Sequence, residues 1–237
     1  MYKIADFVFE FGFRHFNFRT NSLEYKVPDT EACAVFTCSE EEKEIARNGD
    51  ESIKKNEMEF LILHRKLAEW LPLHNAFVLH CACFDVNGTG VAFAAQSGTG
   101  KSTHMMLWQK LLGDKMTIVN GDKPIVRFFD EEPNLQYAYG TPWMGKEQLG
   151  CNMRTPLKHI CFITRSETNS TKPLTKAEGL PRIMNQVYMP KDPAALSATL
   201  KLINRLLDSV QLWEIRCNME LDAAKIAYSA LFGEQAE

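Results

Sequence analysis

No stretch of this chain approaches the roughly 18 to 20 consecutive apolar residues that a membrane helix needs, so a membrane partner is not expected. Positive charge is not in excess either: 27 Lys and Arg stand against 30 Asp and Glu, a formal net charge of −3. The basic footprint of a nucleic-acid binder is therefore missing. Internal repeats, low-complexity tracts and Gly/Ser linkers are also lacking, which argues against a repeat array or domains on a flexible tether. Cysteine is sparse and odd in number, with seven residues scattered from Cys33 to Cys217, mostly among apolar neighbours. That distribution excludes a disulfide framework and fits a reduced, cytoplasmic compartment. Cys81 and Cys83 stand at strand spacing, so both face the same way; with no C-x-x-C or H-x-x-x-H pair to join them, they read as packing residues rather than metal ligands. Met1-Tyr-Lys-Ile leads into alternating Phe instead of a signal peptide's apolar core, and an unexported protein is expected.

What is present suffices for a large core: 237 residues, 45% hydrophobic, with 15 Phe. The acidity is local. Residues 40–59 carry eight acids and four bases, leaving 23 bases against 22 acids elsewhere, and the acidic run reads as a solvated helical face.

Phe7, Phe9, Phe11 and Phe13 alternate at period two, which predicts a half-buried strand. Short β segments at residues 16–19, 23–27 and 32–37 suggest a small antiparallel sheet. Ser39 and Glu42 form a capping box before an acidic helix that stops at Asn48-Gly49. A second helix over 55–71 carries Phe60, Leu63, Leu67 and Trp70 on one stripe, and Pro72 ends it. Beyond residue 75, apolar strands are expected at 77–84 and 91–95, joined by an Asn87-Gly88 hairpin. A helix follows over 101–112, stopped by Gly113. Further strands are expected at 116–119, 125–129, 135–139, 159–164 and 212–216, with helices at 176–187, 193–210 and 221–232. The predicted class is α+β with mixed, largely antiparallel sheets. A β-rich region with two helices over 1–72 precedes a larger domain over 73–237.

The segment Ala95-Gln-Ser97-Gly98-Thr99-Gly100-Lys101-Ser102-Thr103 lies between a predicted strand and a predicted helix. It matches G-x-x-x-x-G-K-[ST] except for Ala95 at the first position. Gly98 and Gly100 let the backbone curl so that successive N–H groups converge on phosphate oxygens, and the helix N-terminus adds partial positive charge. Lys101 is placed to reach the β- and γ-phosphates and the Ser102 hydroxyl to ligate Mg²⁺. Nucleotide binding through residues 97 to 103 is the expectation. The bland alternative is a glycine-rich turn with an exposed lysine. An antiparallel hairpin leads into this loop, unlike the βαβ start of the common parallel phosphate-loop proteins.

These residues resemble the HPr kinase/phosphorylase and phosphoenolpyruvate carboxykinase-like family. The resemblance rests on His80 before the hairpin, the 97–102 loop, and Asn120-Gly121-Asp122 ending the next strand. Thr141-Pro-Trp-Met-Gly-Lys146 is similar to a feature of HPr-kinase-related proteins, some associated with peptide-modification systems. The likeness spans about residues 75 to 217. It implies a phosphate-loop core, Mg²⁺ and ATP, and a hydroxyl acceptor on a protein, a peptide or a small molecule. It also implies His80, Lys101 and Asp122 as catalytic residues, Ser102 and Asp122 as the Mg²⁺ ligands, and homo-oligomers, for which the Phe-rich first sheet is available as an interface.

Gly121 departs from that pattern, standing where the family has the first Asp of a pair. A lost base lowers the rate by about 10²- to 10⁴-fold without abolishing transfer. His80 is the substitute base, and Asp85 a weaker one. The second hypothesis is an ATP-sensing module that transfers nothing, and Gly121→Asp is the substitution that separates the two. Lys146 is a candidate contact for a phosphate or acceptor carboxylate, against a solvated loop lysine. Trp143 is a candidate stacking residue, with a core role favoured. Arg127 and Arg165, near strand ends, are candidates for neutralising phosphoryl charge, against ordinary surface arginines. The other histidines have no metal-site spacing.

Overall fold

Phe7, Phe9 and Phe11 lie in one strand as their spacing predicts. The computed structural model describes residues 1–12, 20–48, 54–96 and 98–233. Phe13, His15, the predicted strand at 16–19, Gly49 and Ser97 lie outside those residues. Strand β1 (Tyr2–Ile4) pairs antiparallel with β2 (Phe7–Gly12), which buries Phe7, Phe9 and Phe11 on one face. Strand β3 (Ala34–Thr37) joins β2 in parallel, so this sheet is mixed rather than antiparallel. The long connection from Gly12 to Ala34 gives the chain room to cross back to its starting end. Residues 23–27, predicted as a strand, lie instead largely in a 3₁₀ turn over Thr20–Tyr25. Tyr25 is buried while Leu23 is exposed, so the segment has no continuous apolar face to pair.

Helix α1 (Glu40–Arg47) starts at the Ser39/Glu42 capping box, and Asn48 ends it with φ 48°. Its acidic run is not simply a solvated face. Lys43 is fully buried between Glu40 (2.8 Å) and Glu59 (3.3 Å), and Glu42 pairs with Lys66 at 2.6 Å. The acids thus tie α1 to α2 (Lys55–Trp70). That helix covers the aromatic face of β2, with Trp70 edge-on to Phe9 at 5.3 Å.

The larger sheet follows from β4 (Ala76–Val78), β5 (Ala82–Val86), β6 (Thr89–Ala94), β7 (Met116–Asn120), β8 (Ile125–Phe128), β9 (Gln136–Tyr139), β10 (Arg154–Arg165), β11 (Ser170–Leu174) and β12 (Gln211–Cys217). Nine strands run in the order β4-β8-β9-β10-β6-β5-β7, with β12 on β10 and β11 on β12. The β5–β6 hairpin turns at Asn87 (φ 50°) and Gly88 (φ 85°), the signs a tight two-residue turn requires. β10 is the seam: residues 154–156 pair antiparallel with β9, while 159–165 pair parallel with β12. Pairing along β6–β10 and β10–β12 is parallel and the remaining ladders are antiparallel. The expected single strand over 77–84 is divided, because His80 N–H bonds Gln186 O (2.8 Å) and Cys81 N–H bonds Asp122 O (3.0 Å). The chain steps there from one half-sheet to the other. Tyr2–Ile4 and the edge strand β11 carry no predicting signal; Pro173 is tolerated in β11 because an edge strand need not donate on both sides.

Helices α4 (Lys176–Met184) and α5 (Pro193–Ser209) lie on one face of this sheet, burying Ile183, Leu202, Ile203 and Leu206 against Cys81, Cys83, Ile160 and Phe162. Helices α3 (Lys101–Leu112) and α6 (Leu221–Phe232) cover the other, where Trp108 and Tyr228 pack with Phe84, Phe93, Cys161 and Ile163. The first sheet and α2 share a third apolar cluster with Ile125, Tyr139 and Trp143 of the larger sheet's edge and loops. No helix among the described residues is long and apolar enough to cross a membrane.

Candidate active site

β6 delivers the chain to the glycine loop and α3 receives it. Gly98 (φ 78°) and Gly100 (φ 117°) have the positive φ that glycine adopts without cost, and Ala95 keeps a negative φ. Thr99 N–H closes a turn onto Gln96 O at 3.2 Å, and His104 N–H bonds Gly100 O at 2.9 Å as α3 begins. Ser102 is half-buried and Thr103 exposed in the first turn. Lys101 folds inward: only 8% exposed, it donates to Ala95 O at 2.9 Å and lies 3.3 Å from His80 Nε2. Burial lowers its pKa, opposed by the nearby Asp122 carboxylate.

Asp122 is aimed by the turn that follows β7. Fully buried Asn120 accepts the N–H groups of Asp122 (2.9 Å) and Lys123 (2.7 Å) on its Oδ1, and donates Nδ2 to the carbonyl and hydroxyl of Thr141. The Thr141 hydroxyl donates in turn to Lys123 O at 2.8 Å. Thus fixed, Asp122 places Oδ1 3.3 Å from His80 Nε2 and Oδ2 against Lys123 Nζ. Burial pushes its pKa up, but hydrogen bonds from His80 and Lys123 and the charge of Lys123 prevail and hold it at about 2. Lys101, His80 and Asp122 therefore form one continuous chain. The single atom His80 Nε2 faces both partners: it accepts from the ammonium or donates to the carboxylate, and cannot do both at once.

The segment from Gly140 to Gly150 closes over this turn. Gly121 N–H bonds Leu149 O at 2.8 Å. A Cβ at Gly121 would stand 3.1 Å from Met144 O and 3.2 Å from Leu149 O, so a side chain is tight there. An aspartate at 121 would begin between two carbonyl oxygens, and Gly121→Asp is not the clean restoration that the family resemblance implies. Gly145 (φ 78°) lies so near Asp122 that a Cβ would come within 2.9 Å of the Asp122 Cβ. Lys146 follows it, exposed.

Other candidates separate from the site. Trp143 is buried, stacked on Phe60 (5.4 Å) and next to His64 (5.1 Å), and is a core residue. Arg127 donates to Ala5 O at 2.6 Å and lies over the Phe7 ring at 3.8 Å, joining the first sheet to the larger one. It is a packing residue, not one that faces a phosphate. Asp85 accepts Gly88 N–H (2.9 Å) and the Thr155 hydroxyl (2.5 Å), which fixes the hairpin and removes it as a base. Burial lowers the pKa of His104 to about 4, and its ring nitrogens have no partner among the described residues. Cys81 and Cys83 are buried with pKa values raised by burial. No group of His, Cys, Asp or Glu among the described residues forms a metal cluster. Sequence reading named Asn120 and Thr141 only as members of motifs, without the bonds that aim Asp122, and did not name Lys123; an Asn opening a turn beside Gly-Asp was the available signal for the first.

No family model matches this sequence, and no curated protein does. Among solved structures the chain is similar to the HPr(Ser) kinase/phosphatase from Coxiella burnetii, at 12% identity and a TM-score of 0.30, over 55% of this chain and 87% of that one. So distant a likeness carries no argument about activity.

Proposed function

We propose that this protein binds Mg-ATP on residues 97 to 103 and transfers the γ-phosphate to a hydroxyl of a protein, peptide or small molecule. The observation that carries the reading is the chain Lys101–His80–Asp122, linked at 3.3 Å and standing at the inner end of a glycine loop. In this reading the loop amides and Lys101 bind the triphosphate, with the α3 N-terminus contributing to an anion site that owes nothing to net charge. Ser102 and Asp122 offer the hard oxygen donors that suit Mg²⁺, and they are the residues that would hold it. The ion supplies neutralisation of charge on the β- and γ-phosphates.

His80 orients the acceptor hydroxyl and takes its proton. Asp122 is the weaker candidate for that step, since both of its oxygens are engaged and its pKa of about 2 makes it a poor base near neutrality. For Nε2 to accept a proton, its contact with Lys101 must give way, and a phosphate that draws the ammonium away does this. Lys146, exposed beside the turn over Asp122, is the proposed contact for an acceptor or a phosphate.

A second reading, ATP sensing without transfer, is favoured by one feature. The tight packing at Gly121 leaves the site with a single carboxylate on this turn. ATP labelled on the γ-phosphate decides between them. Label moving to an acceptor in wild type, and moving far more slowly in His80→Ala, supports the kinase; ATP bound with no label moved to any acceptor in wild type supports the sensor.

A further inference from the structure

The glycine loop is gripped from outside by the last residue of a neighbouring strand. Along β10, Cys161 and Ile163 face the apolar layer beneath α3 and α6, and Arg165 is the next residue of the same parity. β10 runs parallel to β6 with Phe162 opposite Ala94, the last residue of β6. Three more residues at about 3.3 Å each carry Arg165 roughly 10 Å further, level with the loop that β6 feeds. Pairing of Arg165 with Cys217 of β12, and the Ser166 N–H bond to Cys217 O at 3.0 Å, fix its backbone.

From there one guanidinium engages two successive carbonyls: Nε donates to Thr99 O at 3.0 Å and Nη2 to Gly98 O at 2.5 Å. In a trans peptide the C=O and N–H point in opposite directions, and the described chain has no cis bond. Drawing these carbonyls toward Arg165 therefore turns the N–H groups of Thr99 and Gly100 away from it. The Thr99 N–H accordingly reaches Gln96 O. We infer that Arg165 is the positioning residue of this loop, its fork holding the Gly98 and Thr99 carbonyls outward so that the Thr99 amide stays closed onto Gln96 O and the Gly100 amide stays turned toward a bound polyphosphate. A lysine keeps the charge but lacks the planar fork.

The ligand half of this inference rests on the nucleotide reading above; the bracing does not. Amide hydrogen exchange on the full chain without nucleotide tests the brace, and ATP titration tests its consequence, in wild type, Arg165→Ala and Arg165→Lys. Expected are exchange at the Thr99 amide about 10-fold faster and ATP affinity about 5- to 50-fold weaker in Arg165→Ala, with Lys restoring neither. Unchanged Thr99 exchange in Arg165→Ala overturns the brace, and full rescue by Lys shows that charge alone suffices and overturns the fork. Lys101→Ala is the control for the site itself. If Lys101→Ala loses affinity and Arg165→Ala does not, only the inference fails; if neither variant loses affinity, the nucleotide reading fails, and the ligand half of the inference with it.

Discussion

At Gly98 and Gly100 an added Cβ would meet nothing within 4 Å, yet both residues hold a positive φ. Across the site the glycines are crowded: a Cβ at Gly140 would lie 1.9 Å from Cys151 O, at Gly145 2.9 Å from the Asp122 Cβ, and at Gly121 3.1 Å from Met144 O. The first loop uses glycine to set the direction of its amides, and the space beside it is open. The second uses glycine to let one stretch of backbone lie on another, so that the turn carrying Asp122 is clamped. One wall of the site is open, which suits the ligand proposed for it, and the other is packed to hold a side chain still.

Substitution by alanine should divide the two walls. Gly140→Ala has no room between the carbonyls of Cys151 and Val119 and is expected to destabilise the fold by about 3 to 5 kcal/mol, read as a lower urea midpoint. Gly100→Ala meets no atom, so its cost is conformational, about 1 to 3 kcal/mol for a residue held at φ 117°. ATP affinity should fall in that variant by more than its change in stability suggests. If the two variants proved equally stable, the contrast between crowded and open glycines would be wrong.

A smaller effect tests the clamp itself. The folded-state pKa of Asp122, about 2, lies below the unfolded value of about 3.9. The stability it contributes is therefore present above pH 4 and lost as pH falls toward 2. Asp122→Asn should lack that part of the acid-induced loss, measured as urea midpoints between pH 5 and pH 2. Parallel profiles for the two proteins would contradict the bonding described for Asp122.

The legible parts of this molecule were those with local causes. The loop from Ala95 to Thr103, the Asn87-Gly88 hairpin, the Ser39 capping box and the long C-terminal helices each announce themselves within a few residues. His80 and Asp122 were named from the family resemblance, and the fold brings His80 Nε2 to 3.3 Å from Asp122 Oδ1. What escaped depends on distant segments. Asn120 matters because Thr141 lies beside it, Lys43 is buried because Glu59 comes from the next helix, and Arg165 reaches the loop because β10 outruns β6. The division of residues 77–84 came from hydrogen bonds to Gln186 and Asp122, which no apolar run encodes. Gly121 was read as a missing acid, whereas its neighbours explain it as a close backbone contact.

The central claim is that the open loop binds a polyphosphate through Lys101. Titration of Mg-ATP into wild type and Lys101→Ala tests it most directly, since removing one charge-assisted contact of about 1.5 to 3 kcal/mol should weaken binding by roughly 10- to 150-fold. Saturable binding that weakens to that degree in a variant that remains folded is the predicted result. Equal affinity in the two proteins, or no binding to either, would contradict the account.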